Sequence, residues 1–129
     1  MQRNVVACVT AQLSCKEIIN SASKLAERIG GKLIVVTSQK DKMEAHRRAC
    51  DLKVLNELSC TTGYDIDIIY SENPTFALVS YIKKLKPYHI FIGNPKVDKT
   101  FYNYFINEYN SVPISIVNTK NSSVPICIS

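Results

Sequence analysis

Two short segments hold the residues best suited to gripping an anion. Thr10-Ala11-Gln12-Leu13 and Gly93-Asn94-Pro95-Lys96 each follow an apolar run, and together they supply a hydroxyl, two amides, a glycine backbone and an ammonium. This is the chemistry of a phosphate cradle, in which backbone N–H groups of a tight turn work beside a cation. Lys99 extends the positive charge, and Val36-Thr37-Ser38 brings two more hydroxyls at the end of another apolar run. Pro95 removes one backbone donor from the loop, so the cradle is expected to be poor. Polar residues at strand ends also describe any solvent-facing loop, and that plainer reading is the preferred one.

No other group of residues assembles a reaction centre. Cys8, Cys15, Cys50, Cys60 and Cys127 form no Cys-x-x-Cys pair and have no histidine at the spacing of the usual zinc motifs, so no metal site is expected. Cys15 falls at a predicted helix start, where a thiol can become reactive, but a small packing residue is the simpler assignment. His46 and His89 stand alone in a predicted helix and a predicted strand, with no serine or acid partner evident. No catalytic residue is assigned, because no acid, base and nucleophile converge on the two polar segments.

The elements that must position those segments follow from periodicity. Val5 to Val9, Leu33 to Val36, Ile66 to Tyr70, His89 to Ile92 and Ile114 to Val117 are apolar or β-branched runs and predict five strands. Ile18, Ile19, Ala22, Leu25, Ala26 and Ile29 recur at helical spacing, ended by Gly30-Gly31. Ala49, Leu52, Leu55 and Leu58 do so before Gly63, Val79, Ile82 and Leu85 before Pro87, and Phe101, Tyr104, Phe105 and Tyr109 before Pro113. Ser14 with Glu17, Asp41 with Glu44, Asn73 with Pro74, and Asp98 mark the expected helix starts. Strict alternation predicts an α/β fold with a parallel sheet and helices on both faces. Asp65, Asp67 and Ser115 place the third and fifth strands at the edges, giving the order 3-2-1-4-5. The order reverses between the first and fourth strands, which puts a crevice between the two polar segments.

Bulk properties fit one ordinary globular domain. The chain has 129 residues, 46% hydrophobic and 21% charged, with no apolar run of membrane-spanning length and no signal segment expected at Met1-Gln2-Arg3-Asn4. Sixteen Lys and Arg against eleven Asp and Glu give a formal charge of +5. The basic residues are scattered: Arg47, Arg48 and Lys53 on one predicted helix, Lys83 to Lys86 on another, Lys96 and Lys99 in a loop. No basic stripe forms, so neither a nucleic-acid interface nor a membrane partner is expected. A cytoplasmic protein is the expectation.

Val5-Val6-Ala7-Cys8-Val9-Thr10, Leu25-Ala26-Glu27-Arg28-Ile29-Gly30-Gly31-Lys32-Leu33, and Ile90-Phe91-Ile92-Gly93 followed by Val112-Pro113-Ile114-Ser115-Ile116-Val117 resemble the universal stress protein superfamily. The resemblance covers residues 3 to 118 and, within that superfamily, is nearest the cytoplasmic domain of the osmosensitive potassium-channel sensor kinase KdpD. It implies an adenine nucleotide alpha hydrolase-like fold for residues 1 to 118 and a regulatory stress-response or signalling role without catalysis. In ATP-binding members an aspartate ends the first strand, and a Gly-x-x-Gly followed by Gly-Ser or Gly-Thr wraps the phosphates. Here Thr10 replaces the aspartate, Gly93 keeps the first glycine, Lys96 replaces the second, and no Gly-Ser follows before Pro113. The phosphate loop is therefore expected to be degenerate and no cofactor to be held.

The resemblance also implies an alternative: a sensor binding ATP, AMP or cyclic di-AMP in the crevice. Thr10, Gln12, Val36, Thr37, Ser38, Gly93 and Asn94 would then line the ligand, and Lys96 and Lys99 would neutralise its phosphate. A homodimer is implied too, with a signalling protein as a further partner. The tail, residues 119 to 129, repeats Ser111-Val112-Pro113-Ile114-Ser115-Ile116 as Ser123-Val124-Pro125-Ile126-Cys127-Ile128. It is expected to supply an extra strand or a dimer arm, because exposed sheet edges invite strand addition.

Overall fold

A computed structural model describes residues 3–93, 103, 106–108 and 111–118. Five parallel strands form one sheet in the order β3-β2-β1-β4-β5: β1 Asn4–Cys8, β2 Lys32–Lys40, β3 Ile66–Ser71, β4 Pro87–Gly93 and β5 Ile114–Val117. Order, direction and the two edge strands are those expected from the sequence. Three helices make the described crossovers, α1 Lys16–Ile29, α2 Ala45–Thr62 and α3 Pro74–Leu85. Residues 103 and 106–108 are also helical. Asp98, Phe101, Tyr104, Phe105 and Tyr109 lie outside the described residues, as does the tail from residue 119 onward.

Alternation along the buried strands divides the core in two. Val5, Ala7, Val9 and Val35 face α1 and α2, packing on Ile18, Ile19, Ala22, Leu55 and Leu58. Val6, Cys8, Val36, Ile90 and Ile92 face α3, packing on Leu78, Val79 and Ile82. Right-handed crossovers explain the split: the chain moves outward through β2 and β3 along one face, then returns past β1 along the other. Burial also pushes the Cys8 thiol pKa far above its ordinary value, so this sulfur behaves as a small apolar filler.

Helix ends match the sequence signals in some places and depart from them in others. Gly30 and Gly63 adopt the left-handed conformation that closes α1 and α2. Asn73 caps α3, accepting from the Phe76 N–H, with Pro74 at the first helical position. Ser14 does not cap α1. A single 3-10 turn, Leu13–Cys15, comes first, Cys15 takes the cap position, and Ser14 Oγ is buried without a hydrogen-bond partner among the described residues. Asp41 does not cap α2 either; β2 runs on to Lys40, and the helix is capped by Glu44, whose carboxylate accepts from Arg47 N–H at 2.8 Å. The longer strand displaces the helix start by three residues.

His89 has the serine partner that the sequence did not reveal. Its Nε2 lies 2.7 Å from Ser115 Oγ across β4 and β5, and its ring stacks on Phe91. Burial lowers the His89 pKa from the ordinary 6.5. A group held neutral in the folded chain takes up protons more readily when unfolded, so its contribution to stability is complete above pH 6.5. It falls as the pH drops from there toward the lowered native value. Thermal unfolding should therefore lose midpoint temperature on acidification below that pH, and His89→Gln should flatten the decline within this window.

Candidate functional site

The crevice expected from the sequence would fall where strand order reverses, at the carboxyl edge of β1 and β4. Cys8 pairs with Val36 and Ala7 with Phe91. Extending those registers puts Val9 level with Thr37 and Gly93, and Thr10 level with Ser38. Thr10, Ser38 and Gly93 are thus brought together from three strands that are distant in sequence. Asn94, Lys96 and Lys99 lie outside the described residues.

The chain turns sharply above this edge. Val9 N–H donates to Val36 O at 3.0 Å, Gln12 N–H to Thr10 O at 2.8 Å, and Cys15 N–H to Gln12 O at 3.0 Å. Thr10 N–H points to Cys15 Sγ at 3.4 Å, with Thr10 Oγ1 at 3.5 Å from the same sulfur. Cys15 is accordingly a buried residue that braces the turn, in agreement with the packing role expected for it. Thr10 and Gln12 are exposed at the mouth, Ser38 is half-buried, and Val36 and Thr37 form the floor at 0% and 2% exposure. The start of α1 lies directly above, bringing the positive end of its dipole to the same edge.

Gly93 explains how α1 comes so close. A Cβ there would lie 3.2 Å from Ile18 Cδ1, so the missing side chain lets the first turn of α1 settle against the end of β4. The resulting surface offers hydroxyls, an amide and a helix N-terminus, with the Thr10 hydroxyl at the end of β1. These groups can form hydrogen bonds to a polar ligand, and among the described residues none is a general base beside a nucleophile. The His89 and Ser115 pair does not change this. His89 is four residues below Gly93 on β4, about 13 Å from the crevice along the strand.

A polar cluster beside the crevice escaped the sequence reading. Gln39 is 8% exposed, and its Nε2 donates to Asp51 Oδ2 on α2 at 3.2 Å; Gln39 Oε1 has no partner among the described residues. Arg48, expected as a surface charge, folds back along the surface. Its Nη2 donates to Lys40 O and Asp41 O at 2.8 Å each, and its guanidinium stacks over the Tyr70 ring. These contacts bind the first turns of α2 to the ends of β2 and β3, where the sequence shows only scattered polar letters. A separate groove of about 460 Å³ runs between α2 and β3, lined by Leu52, Leu55, Asn56 and Ser59, away from the crevice.

No family model matches the chain, and no curated protein does. Solved structures do share the fold. A universal stress protein from Archaeoglobus fulgidus superposes with a TM-score of 0.68 at 13% identity, covering 91% of this chain and 94% of the other. A second structure of the universal stress protein from that organism, in complex with dAMP, gives 0.64 at 14% identity over 91% and 98%. A universal stress protein in complex with cAMP gives 0.63 at 18% identity over 92% and 98%. At these identities the likeness establishes the fold. Among the described residues, no helix is long and apolar enough to cross a membrane.

Proposed function

We propose that this chain is a regulatory module of the universal stress protein type, similar to the universal-stress-like domain of the sensor kinase KdpD, acting without catalysis in the cytoplasm. The observation that carries this reading is the end of β1. A full universal-stress-like scaffold surrounds a crevice in which Thr10 stands in place of a carboxylate and is hydrogen-bonded to the sulfur of its own turn. Lys96 and Pro95 in the following loop offer a charge but one backbone donor fewer. Such a site gives little to grip a triphosphate, so the module works through its surfaces on a signalling partner.

The cAMP and dAMP held by two neighbours favour a second reading, in which the crevice takes an adenine nucleotide or cyclic di-AMP. Isothermal calorimetry with ATP, AMP and cyclic di-AMP separates the two. The surface-acting module predicts no heat of binding at micromolar ligand. Micromolar affinity, lost in part with Lys96→Ala, would establish the sensor instead.

The chain is also proposed to form a homodimer through the β5 edge. Ile116 is 45% exposed on that edge strand, and the tail repeats the β5 sequence. Light scattering should give twice the chain mass at micromolar concentration and a smaller mass after residues 119 to 129 are removed. A full-length monomer unaffected by the truncation would refute the arrangement.

A further inference from the structure

The solvent-facing side of the first half of α2 carries a pair of ligand atoms already set at chelating distance. His46 and Cys50 are four residues apart on the helix, both are exposed, and His46 Nε2 lies 3.7 Å from Cys50 Sγ. In a tetrahedral zinc site, with Zn–N near 2.0 Å and Zn–S near 2.3 Å, adjacent nitrogen and sulfur ligands are about 3.5 Å apart. The helix therefore presents the two atoms close to the separation that one metal ion requires. The sequence alone hid the pair, because His-x-x-x-Cys falls outside the usual finger motifs; only the helical repeat places both side chains on one face.

We propose that His46 and Cys50 form half of a tetrahedral site for zinc, closed by the same two residues of a second copy of this chain. Two ligands cannot complete a closed coordination shell, and no cluster of three or more His, Cys, Asp or Glu residues occurs among the described residues. A two-fold axis beside α2 supplies the missing pair and yields the Cys2His2 set of structural zinc sites. The face is accessible. Ala45 and Ala49 beside the pair are exposed and small, and the long side chains of Arg47 and Lys53 can swing aside for a second helix. As each Zn–S bond forms, the thiol releases its proton to solvent, and the zinc with two thiolates and two neutral imidazoles carries no net charge. The neighbouring Arg47 and Lys53 thus do not oppose the filled site. Because α2 flanks β3 and the proposed dimer edge is β5, this contact is separate from the homodimer and independent of what the crevice binds.

The test is a cobalt(II) titration of the full, reduced chain, followed by absorption, with zinc as competitor and light scattering in parallel. The expected result is tetrahedral cobalt bands with sulfur charge transfer, saturating at one metal per two chains. The mass should rise above that of the metal-free protein and revert with chelator, because a contact separate from the β5 edge joins preformed dimers to one another. Cys50→Ser and His46→Ala should each weaken uptake more than about tenfold. Cys60→Ser and Cys127→Ser should leave it unchanged, and exposure of both ligands means that the variants should keep their folded far-UV spectrum. Saturation at one metal per chain without a change of mass overturns the proposal. So does a six-coordinate spectrum, or uptake that survives Cys50→Ser.

Discussion

Leu58→Ala should destabilise the chain by about 3 kcal/mol, whereas Leu52→Ala on the same helix should cost less than about 1 kcal/mol. Both leucines belong to the same periodic stripe, yet Leu58 is 1% exposed within the core under α2 and Leu52 is 37% exposed. Removing buried methyl groups forfeits their transfer free energy and leaves a cavity that the sheet cannot fully close, since Leu58 rests on strands fixed on both sides. At Leu52 much of the side chain is already in contact with water. Urea unfolding monitored by circular dichroism, at unchanged m-value, measures both. Equal losses at the two positions would show that Leu52 is packed as tightly as Leu58 despite its exposure.

Gly31→Val is expected to cost about 3 kcal/mol, more than Gly30→Ala, which should cost about 1 kcal/mol. The two adjacent glycines are needed for different reasons. Gly30 has φ of 66°, with nothing within 4 Å of an added Cβ, so a substitution there meets only the strain of the left-handed conformation. At Gly31 an added Cβ would sit 2.6 Å from the backbone oxygen of Arg3, the same oxygen that accepts from Lys32 N–H at 2.8 Å. Neither atom can yield without separating the start of β1 from the start of β2, where Asn4 pairs with Lys32. Thermal unfolding of the two variants ranks them. A larger loss at Gly30 would mean that backbone conformation and not close approach limits this turn.

Much of the scaffold was legible in the sequence because its determinants are local. Unbroken apolar runs, helical spacing and the stop signals at Gly30 and Gly63 need no partner to be read, and the parallel arrangement follows once strands and helices alternate. Edge and centre were legible too, since Asp67 on β3 and Ser115 on β5 are tolerated only where one side of the strand lacks a neighbour. The registers of β1, β2 and β4 put Thr10, Thr37, Ser38 and Gly93 at the same end of the sheet, beside the reversal of strand order from which the sequence placed a crevice.

Misreadings arose where a short-range pattern had two outcomes. Ser14 with Glu17 and Asp41 with Glu44 both look like capping boxes, but a 3-10 turn and the extra length of β2 moved the helix starts to Cys15 and Glu44. Arg48 looked like a solvated charge because nothing nearby in sequence offers it carbonyl oxygens; those at Lys40 and Asp41 reach it only once α2 folds back over β2.

Taken alone, the sequence determined which of the described segments become strands or helices and the order in which the strands lie. These follow from side-chain periodicity and the handedness of the backbone, which act over a few residues. Tertiary structure decided that Gln39 meets Asp51, that His89 meets Ser115, and that Leu52 stays partly in contact with water while Leu58 does not. Each of these depends on how one element docks on another, and docking is set by the whole core at once, which no local pattern encodes.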